Sequence, residues 1–333
     1  MDGNQAEPTE AREATGPAVR GWTATGLRWR EGVPQLTAAR GAEEHRREIG
    51  TGTRIGWEVA GPRRCTGIRT AHRHHPCPTS ALLDPAGKSG QCPSCQDADQ
   101  GLALARDRVV DDGRTYRLYL AWFGPGLAKV GLTAEQRGSA RLLEQAAPVW
   151  TFLARGPLPG VRRAELTVAQ AGLARERFTT KAKNQGWWHL PGPRGRAEAV
   201  RALRAEVLPV LAGHAVELFP DGPVVDQVEL FGLAEGPPPA YREVTALSDG
   251  ARLSGVLHAP VGQQLFLTPD QSPPVPGREP VPGREPVPGR EPVPLLLDTR
   301  LLTGWTLRPC APAPCTGLTE LLRSRPVEQT ALF

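Results

Sequence analysis

Four cysteines, Cys65, Cys77, Cys92 and Cys95, stand close together in a chain whose only others are Cys310 and Cys315. Cys92-Pro-Ser-Cys95 reads as a knuckle, a tight turn that offers two thiolates with backbone N–H groups aimed at the sulfurs. Cys65 and Cys77, on the strand-rich stretch before it, supply two more ligands across a loop-sized gap. Zinc takes four such soft ligands tetrahedrally, and a site closed by four thiolates is structural. His72, His74 and His75 lie between the first two cysteines and could replace one thiolate. Redox use of the Cys-x-x-Cys pair is the competing reading, but the βαβ setting of a thioredoxin-like motif is missing around it. Cys310 and Cys315, in a Pro-rich stretch without a second pair, read as free thiols.

Cysteines used as ligands suit a reducing compartment. Residues 1–18 lack the basic start and apolar run of a secretory leader. No stretch holds the roughly 18 apolar residues that span a bilayer, so a cytoplasmic location and no membrane partner are expected. At 333 residues the chain exceeds one ordinary core, and two or three units are expected. With 37 Gly, 35 Pro and 39% apolar residues, part of that length falls to loops. The net charge of +5 points to an anionic partner only where it gathers on one face. Lys occurs only at positions 88, 129, 181 and 183, so the charge is nearly all Arg in an Ala-, Gly- and Pro-rich chain and carries little by itself.

Hydrophobic patterning divides the chain into an α+β architecture. Residues 1–20 have no helical or strand period and read as a disordered leader. Residues 21–112 form a zinc-stapled β-rich unit, with strands at Gly26–Arg30 and Arg54–Ala60. Residues 113–213 form a hairpin-helix unit, in which Arg117–Phe123 and Leu127–Leu132 flank a Gly124-Pro-Gly126 turn. Helices follow at Thr133–Ala147, Val161–Ala174 and Arg196–Leu211. Residues 214–308 form a small β-sheet or barrel, with strands at Ala215–Phe219, Val224–Phe231, Gly255–His258, Gln264–Leu267 and Leu295–Asp298. A Pro-rich loop, 273–294, carries three copies of Val-Pro-Gly-Arg-Glu-Pro. Regular Pro keeps such a loop extended and solvated. Residues 309–333 read as a flexible tail.

The run Tyr119-Leu-Ala-Trp-Phe-Gly-Pro-Gly-Leu-Ala-Lys-Val-Gly-Leu-Thr133, followed by Arg137, Arg141-Leu-Leu-Glu-Gln145 and Arg163-Ala-Glu165, resembles the bacterial domain of unknown function family 2797. The cysteine cluster and Gly262-Gln-Gln-Leu-Phe-Leu267 fit that likeness, which covers residues 20–308. Within it the hairpin and helix are similar to the GIY-YIG nuclease module. That likeness implies a phosphodiesterase site: Tyr119 for the first tyrosine, Lys129 in place of the second, Arg137 or Arg141 for the helix arginine, and Glu165 for the metal carboxylate. Glu165 would hold Mg2+ or Mn2+, an arginine would grip the phosphate and Tyr119 would position water. Lys129 removes one general-base candidate, so a non-catalytic DNA- or RNA-binding module is the alternative. Trp187 and Trp188, beside Lys181, Lys183 and Asn184, form a basic-aromatic cluster that either stacks on bases or closes a core.

The chain ends Gln329-Thr-Ala-Leu332-Phe333, which resembles the peptide by which bacterial replication and repair proteins dock on the DNA sliding clamp. Leu332 and Phe333 would fill an apolar pocket while the Gln329 amide orients the peptide. A second copy, Gln227–Phe231, sits in an alternating segment and is expected as a buried strand. Three uses are thus open: metal-dependent endonuclease, nucleic-acid binder, or adaptor recruited to the clamp.

Overall fold

The computed structural model describes residues 21–70, 73–105, 111–270 and 292–326. The leader, His72, nearly all of the Pro-rich repeat and the terminal pentapeptide lie outside the described residues. The chain is a mixture of helix and strand arranged in several sheets.

It opens with an antiparallel meander, β1 (Trp22–Arg30), β2 (Val33–Arg40) and β3 (Glu43–Glu48), followed by β4 (Arg54–Ala60). Ile55, Trp57 and Val59 alternate inward, as a half-buried strand requires. A two-residue pair, β5 (Ile68–Arg69) and β6 (His74–His75), then leads to the short helices α1 (Pro93–Ala98) and α2 (Gln100–Ala105).

The middle of the chain is the expected hairpin, β7 (Thr115–Trp122) and β8 (Ala128–Ala134), then α3 (Ala140–Glu144), β9 (Val149–Pro157), α4 (Leu158–Gln170), α5 (Thr180–Gly186) and α6 (Pro193–Val210). Two-residue strands β10 (Glu217–Leu218) and β11 (Val225–Asp226) pair with β9 and complete a five-stranded sheet. The last strands are β12 (Ala240–Val261), β13 (Gln264–Pro269), β14 (Leu295–Asp298), β15 (Thr306–Pro309) and β16 (Thr316–Ser324).

Several expectations need correction. The spans 21–112 and 214–308 do not form separate sheets. Their strands join in the order β13-β14-β12-β4-β15-β1-β2-β3, with β16 on β12. The linking strand is β12, which pairs with β14 over Arg242–Val244, with β16 over Ala240–Leu247 and again at Arg252, with β4 over Arg252–Val256 and with β13 over Gly255–Val261. Inward residues of both spans, among them Leu27, Trp57, Leu253, Leu265, Leu297 and Trp305, share one core. The flexible tail expected over 309–333 is corrected where it is described, because Thr316–Ser324 is hydrogen-bonded to β12.

The helix expected over Thr133–Ala147 is only α3, preceded by a single 3-10 turn at Glu135–Arg137. Gly138, at φ 50°, breaks the helical path between them. Val224–Phe231 is a strand only at Val225–Asp226. There Asp226 Oδ1 accepts from the Val228 N–H at 2.9 Å and turns the chain, and Val228 and Phe231 anchor the turn in a core.

Candidate metal centre and cationic cleft

All four knuckle-region cysteines are buried, and their sulfurs lie within 4.8 Å of one another. The Cys77 and Cys92 sulfurs are 3.9 Å apart. Tetrahedral zinc with Zn–S bonds of about 2.3 Å places sulfurs about 3.8 Å apart. The four side chains could therefore hold a metal ion such as zinc.

The backbone is shaped for such a site. The N–H groups of Gly67 and Cys92 donate to Cys65 Sγ at 3.4 and 3.2 Å. Gly67 has φ 74°, and a Cβ there would meet the His75 carbonyl oxygen at 2.0 Å, so glycine is required. Burial pushes the Cys65 and Cys95 thiols up. At Cys77 burial acts in the same sense, but the Thr79 hydroxyl and the Ala81 and Thr79 amides outweigh it and bring the thiol down to about 6. His74 and His75 do not join the cluster. The His74 ring nitrogens face the Gly41 and Thr66 carbonyls, and His75 Nε2 lies 3.4 Å from Arg73 Nε.

Arg63, which the sequence reading did not single out, ties this region to the large sheet. Its guanidinium is buried and donates to the carbonyls of Thr303 (2.8 Å), Asp84 (2.6 Å), Ser89 (3.1 Å) and Gly87. One side chain thus holds the loop leading to Cys92 against the turn that carries Arg300.

Between the knuckle, the large sheet and the hairpin unit runs a cleft of about 650 Å³. Its cationic lining comes from Arg28 on β1, Arg69 on β5, Arg141 on α3, Lys183 on α5, Arg300 and Lys88. Close backbone approaches set these positions. Gly262, at φ 66°, brings its turn so near α3 that a Cβ would lie 2.6 Å from that of Ala146. Trp29 Nε1 donates to the Gly262 carbonyl at 2.8 Å and fixes the same contact from β1. At the other wall the Thr179 hydroxyl caps α5, accepting from the Ala182 N–H at 3.2 Å.

The carboxylates of the lining are already occupied. Glu44 pairs with Arg69 at 3.2 Å, Glu144 pairs with Arg137, and Asp99 accepts from Gln91 Nε2 at 2.9 Å. Arg300 is neutralised by Asp298. Among the described residues no carboxylate forms a salt bridge with Arg28, Arg141 or Lys183. Burial, and after it the charges of Lys129, Arg141 and Arg300, push the Lys183 ammonium down to about 7. Its Nζ donates to the Gln145 carbonyl at 3.2 Å and lies 4.2 Å from the centre of the Phe123 ring.

The nuclease-like residues are only partly assembled. Tyr119 is 1% exposed, and its hydroxyl accepts from Gln145 Nε2 at 2.8 Å. Lys129 Nζ lies 5.2 Å from the centre of the Tyr119 ring, on the same sheet face. Arg141 borders the cleft, and Arg137 is taken by Glu144. Glu165 is elsewhere. Its helix α4 packs through Val161, Ala164 and Val168 onto the face of Leu118 and Leu120, whereas Tyr119 points to the opposite face with Ala121, Phe123 and Leu142. Alternation along β7 enforces that separation. Trp187 and Trp188 close a core: Trp187 is buried beside Phe266, and Trp188 stacks on Tyr241 with ring centres 5.4 Å apart. Arg28 and Arg300 were missed because isolated arginines in an Arg-rich chain carry no local signal.

Comparisons with family models, curated proteins and solved structures returned no match for this chain. Among the described residues no helix is long and apolar enough to cross a membrane.

Proposed function

We propose that this chain is a nucleic-acid-binding protein that grips the phosphates of a strand in the cationic cleft, with a structural zinc ion on Cys65, Cys77, Cys92 and Cys95 bracing one wall. The likeness to domain of unknown function family 2797 belongs to the same proposal. The observation that carries it is the gathering of Arg28, Arg141 and Lys183 on one concavity, where among the described residues none of the three forms a salt bridge with a carboxylate, and the acidic charges that act on Arg28, those of Glu144 and Glu44, are each paired with another arginine. Like charges held together in a concave wall repel, and a bound anion relieves that repulsion. Zinc would fix the Cys92 turn and, through Arg63, the position of Arg300. The chemistry it supplies is cross-linking alone, since four thiolates leave no open position.

Binding rather than hydrolysis is the reading the geometry favours, because Tyr119 and the helix that carries Glu165 lie on opposite sides of one sheet. The test is a salt titration of single-strand binding. Each phosphate contact contributes a slope of about −0.7 in log affinity against log salt. Arg28→Ala with Arg141→Ala should reduce the magnitude of the slope by about 1.4. An unchanged slope overturns the placement in the cleft. Strands incubated with Mg2+ or Mn2+ should stay intact; cleavage that disappears in Glu165→Gln would restore the phosphodiesterase reading.

A further inference from the structure

The cationic cleft has an aromatic ring in its wall. Among the described residues Phe178 is the one phenylalanine, tyrosine or tryptophan that borders it. It is half-buried and belongs to none of the hydrophobic cores that take up Phe123, Phe231 and Phe266. A half-exposed phenylalanine on an ordinary surface would need no explanation. This one stands among cations, and the chain holds it there from both sides. Before it, the Arg175 N–H donates to the Ala128 carbonyl at 2.9 Å and the Arg175 carbonyl accepts from the Val130 N–H at 3.0 Å, which ties the segment to β8. After it, the Thr179 hydroxyl caps α5 and the Thr180 hydroxyl accepts from Arg300 Nη2 at 3.2 Å. The ring is thus fixed on the segment that also carries Lys183, beside a contact with Arg300. The Arg175 guanidinium lies 5.7 Å from the centre of the same ring.

A cationic groove that tracks phosphates, with an aromatic ring in its wall, suits unpaired nucleotides, because every base has a π-face to lay on the ring. A base inside a duplex has both faces covered by its neighbours. Three side-chain amides of the cleft that could read base edges already donate within the protein: Gln91 to the Gly67 carbonyl, Gln145 to the Tyr119 hydroxyl and Gln263 to the Leu27 carbonyl. We propose that Phe178 is the platform on which an unpaired base of the strand stacks while the cleft cations hold the adjoining phosphates, so that the cleft takes single strands in preference to duplex and tolerates their sequence. This rests on the reading above that the cleft holds phosphates.

The experiment gives the full chain three DNA probes of one length: a single strand, the same strand with abasic spacers in place of its bases, and the duplex. All three keep the phosphates. The single strand should bind roughly tenfold more tightly than the abasic strand, and the duplex should bind no better than the abasic strand. Phe178→Leu should bind the single strand and the abasic strand alike, whereas Phe178→Tyr, which keeps a π-face, should retain the preference. Equal binding of the two strands by the wild type overturns the stacking while leaving the phosphate cleft standing. If none of the probes binds, the cleft reading itself fails. A preference for bases that survives in folded Phe178→Leu, or that is lost in Phe178→Tyr, overturns the assignment to Phe178. Duplex binding as tight as that of the single strand overturns the selectivity. Should Phe178→Leu not fold, the wild-type series and Phe178→Tyr still decide. Displacement of the single strand by an equal concentration of adenosine monophosphate would identify a free nucleotide as the ligand and overturn the strand.

Discussion

Lowering the pH should tighten strand binding, and replacing Lys183 by Met should remove most of that dependence. In the free protein burial and three neighbouring cations hold the Lys183 ammonium at about 7 instead of 10.5. The charged form is the one penalised, so the free protein releases this proton as the pH passes 7. A phosphodiester against Nζ favours the charged form and restores it. Binding therefore takes up a proton between pH 7 and 10.5, and affinity is highest below 7 and falls above it. If the bound ammonium regains its ordinary value, linkage gives a loss of about 30-fold, or about 2 kcal/mol, between pH 6 and 8.5. Fluorescence anisotropy of a strand without a terminal phosphate reads this directly, because a phosphomonoester titrates near pH 6 and would overlap. Lys183→Met leaves Glu44, Asp99, Glu144, His74, Lys88 and Lys129 in place, so the difference between the two profiles isolates Lys183. The same shift has a stability counterpart. Unfolding returns the lysine to its ordinary value, so the unfolded chain holds the extra proton across this window and the free protein gains stability as the pH rises through it. A wild-type binding profile that is flat, or a variant that keeps the full slope, refutes the argument.

Elemental analysis should find one zinc per chain, and clearly less in Cys95→Ser. Structural zinc binding is worth about 10–16 kcal/mol in small domains, so chelation should abolish amide protection around the cysteine cluster while β12 stays protected; a metal-free chain with unchanged protection refutes the staple. Arg63→Met leaves the Thr303, Asp84 and Ser89 carbonyls without their donor and should cost about 3 kcal/mol or more in urea unfolding; a loss below about 1 kcal/mol would show that Arg63 is not the tie described. A peptide covering residues 325–333 should bind the bacterial sliding clamp and lose binding with Leu332→Ala and Phe333→Ala; absence of binding at about 50 µM removes the adaptor role.

The parts legible in the sequence are those in which a local rule decides. The Cys-x-x-Cys spacing announces its cluster, and alternation in Arg54–Ala60 and Arg117–Phe123 announces strands that exist as β4 and β7. The division into units was not legible, because pairing between β4 and β12 joins residues nearly 200 positions apart, and nothing in either strand names its partner. Alternation predicts a face, not a neighbour. The missed strands fail for a related reason. Glu43–Glu48 is charged on both faces and exposed, so no hydrophobic period marks it. Ser248-Asp-Gly250, which no expected strand includes, is spanned by β12, with Gly250 at φ 77° where the register with β16 shifts. The cleft was hidden for the same cause, since its cations come from separate segments: Arg141 and Lys183 stood out for other reasons, and Arg28 and Arg300 look like ordinary surface cations in sequence.

Placing Glu165 away from Tyr119 separates two meanings of the hairpin. One is the chemistry its residue types suggest, the other the support its shape gives to neighbouring groups. Here the shape still does something definable: β7 and β8 seat Tyr119 over Gly131, where a Cβ would lie 2.2 Å from the Tyr119 hydroxyl, and that hydroxyl holds the Gln145 side chain. The Gln145 carbonyl in turn accepts from Lys183. The tyrosine thus supports the cleft from behind. Arg63 supports the opposite wall through the knuckle and the Arg300 turn. Both braces act on backbone or on neutral groups, so neither adds a countercharge to the cleft beyond the Glu44–Arg69 and Asp298–Arg300 pairs. Cations left unpaired in a concave wall cost stability in the free protein and lower the reorganisation needed to receive an anion, which is what the proposed binding site would require.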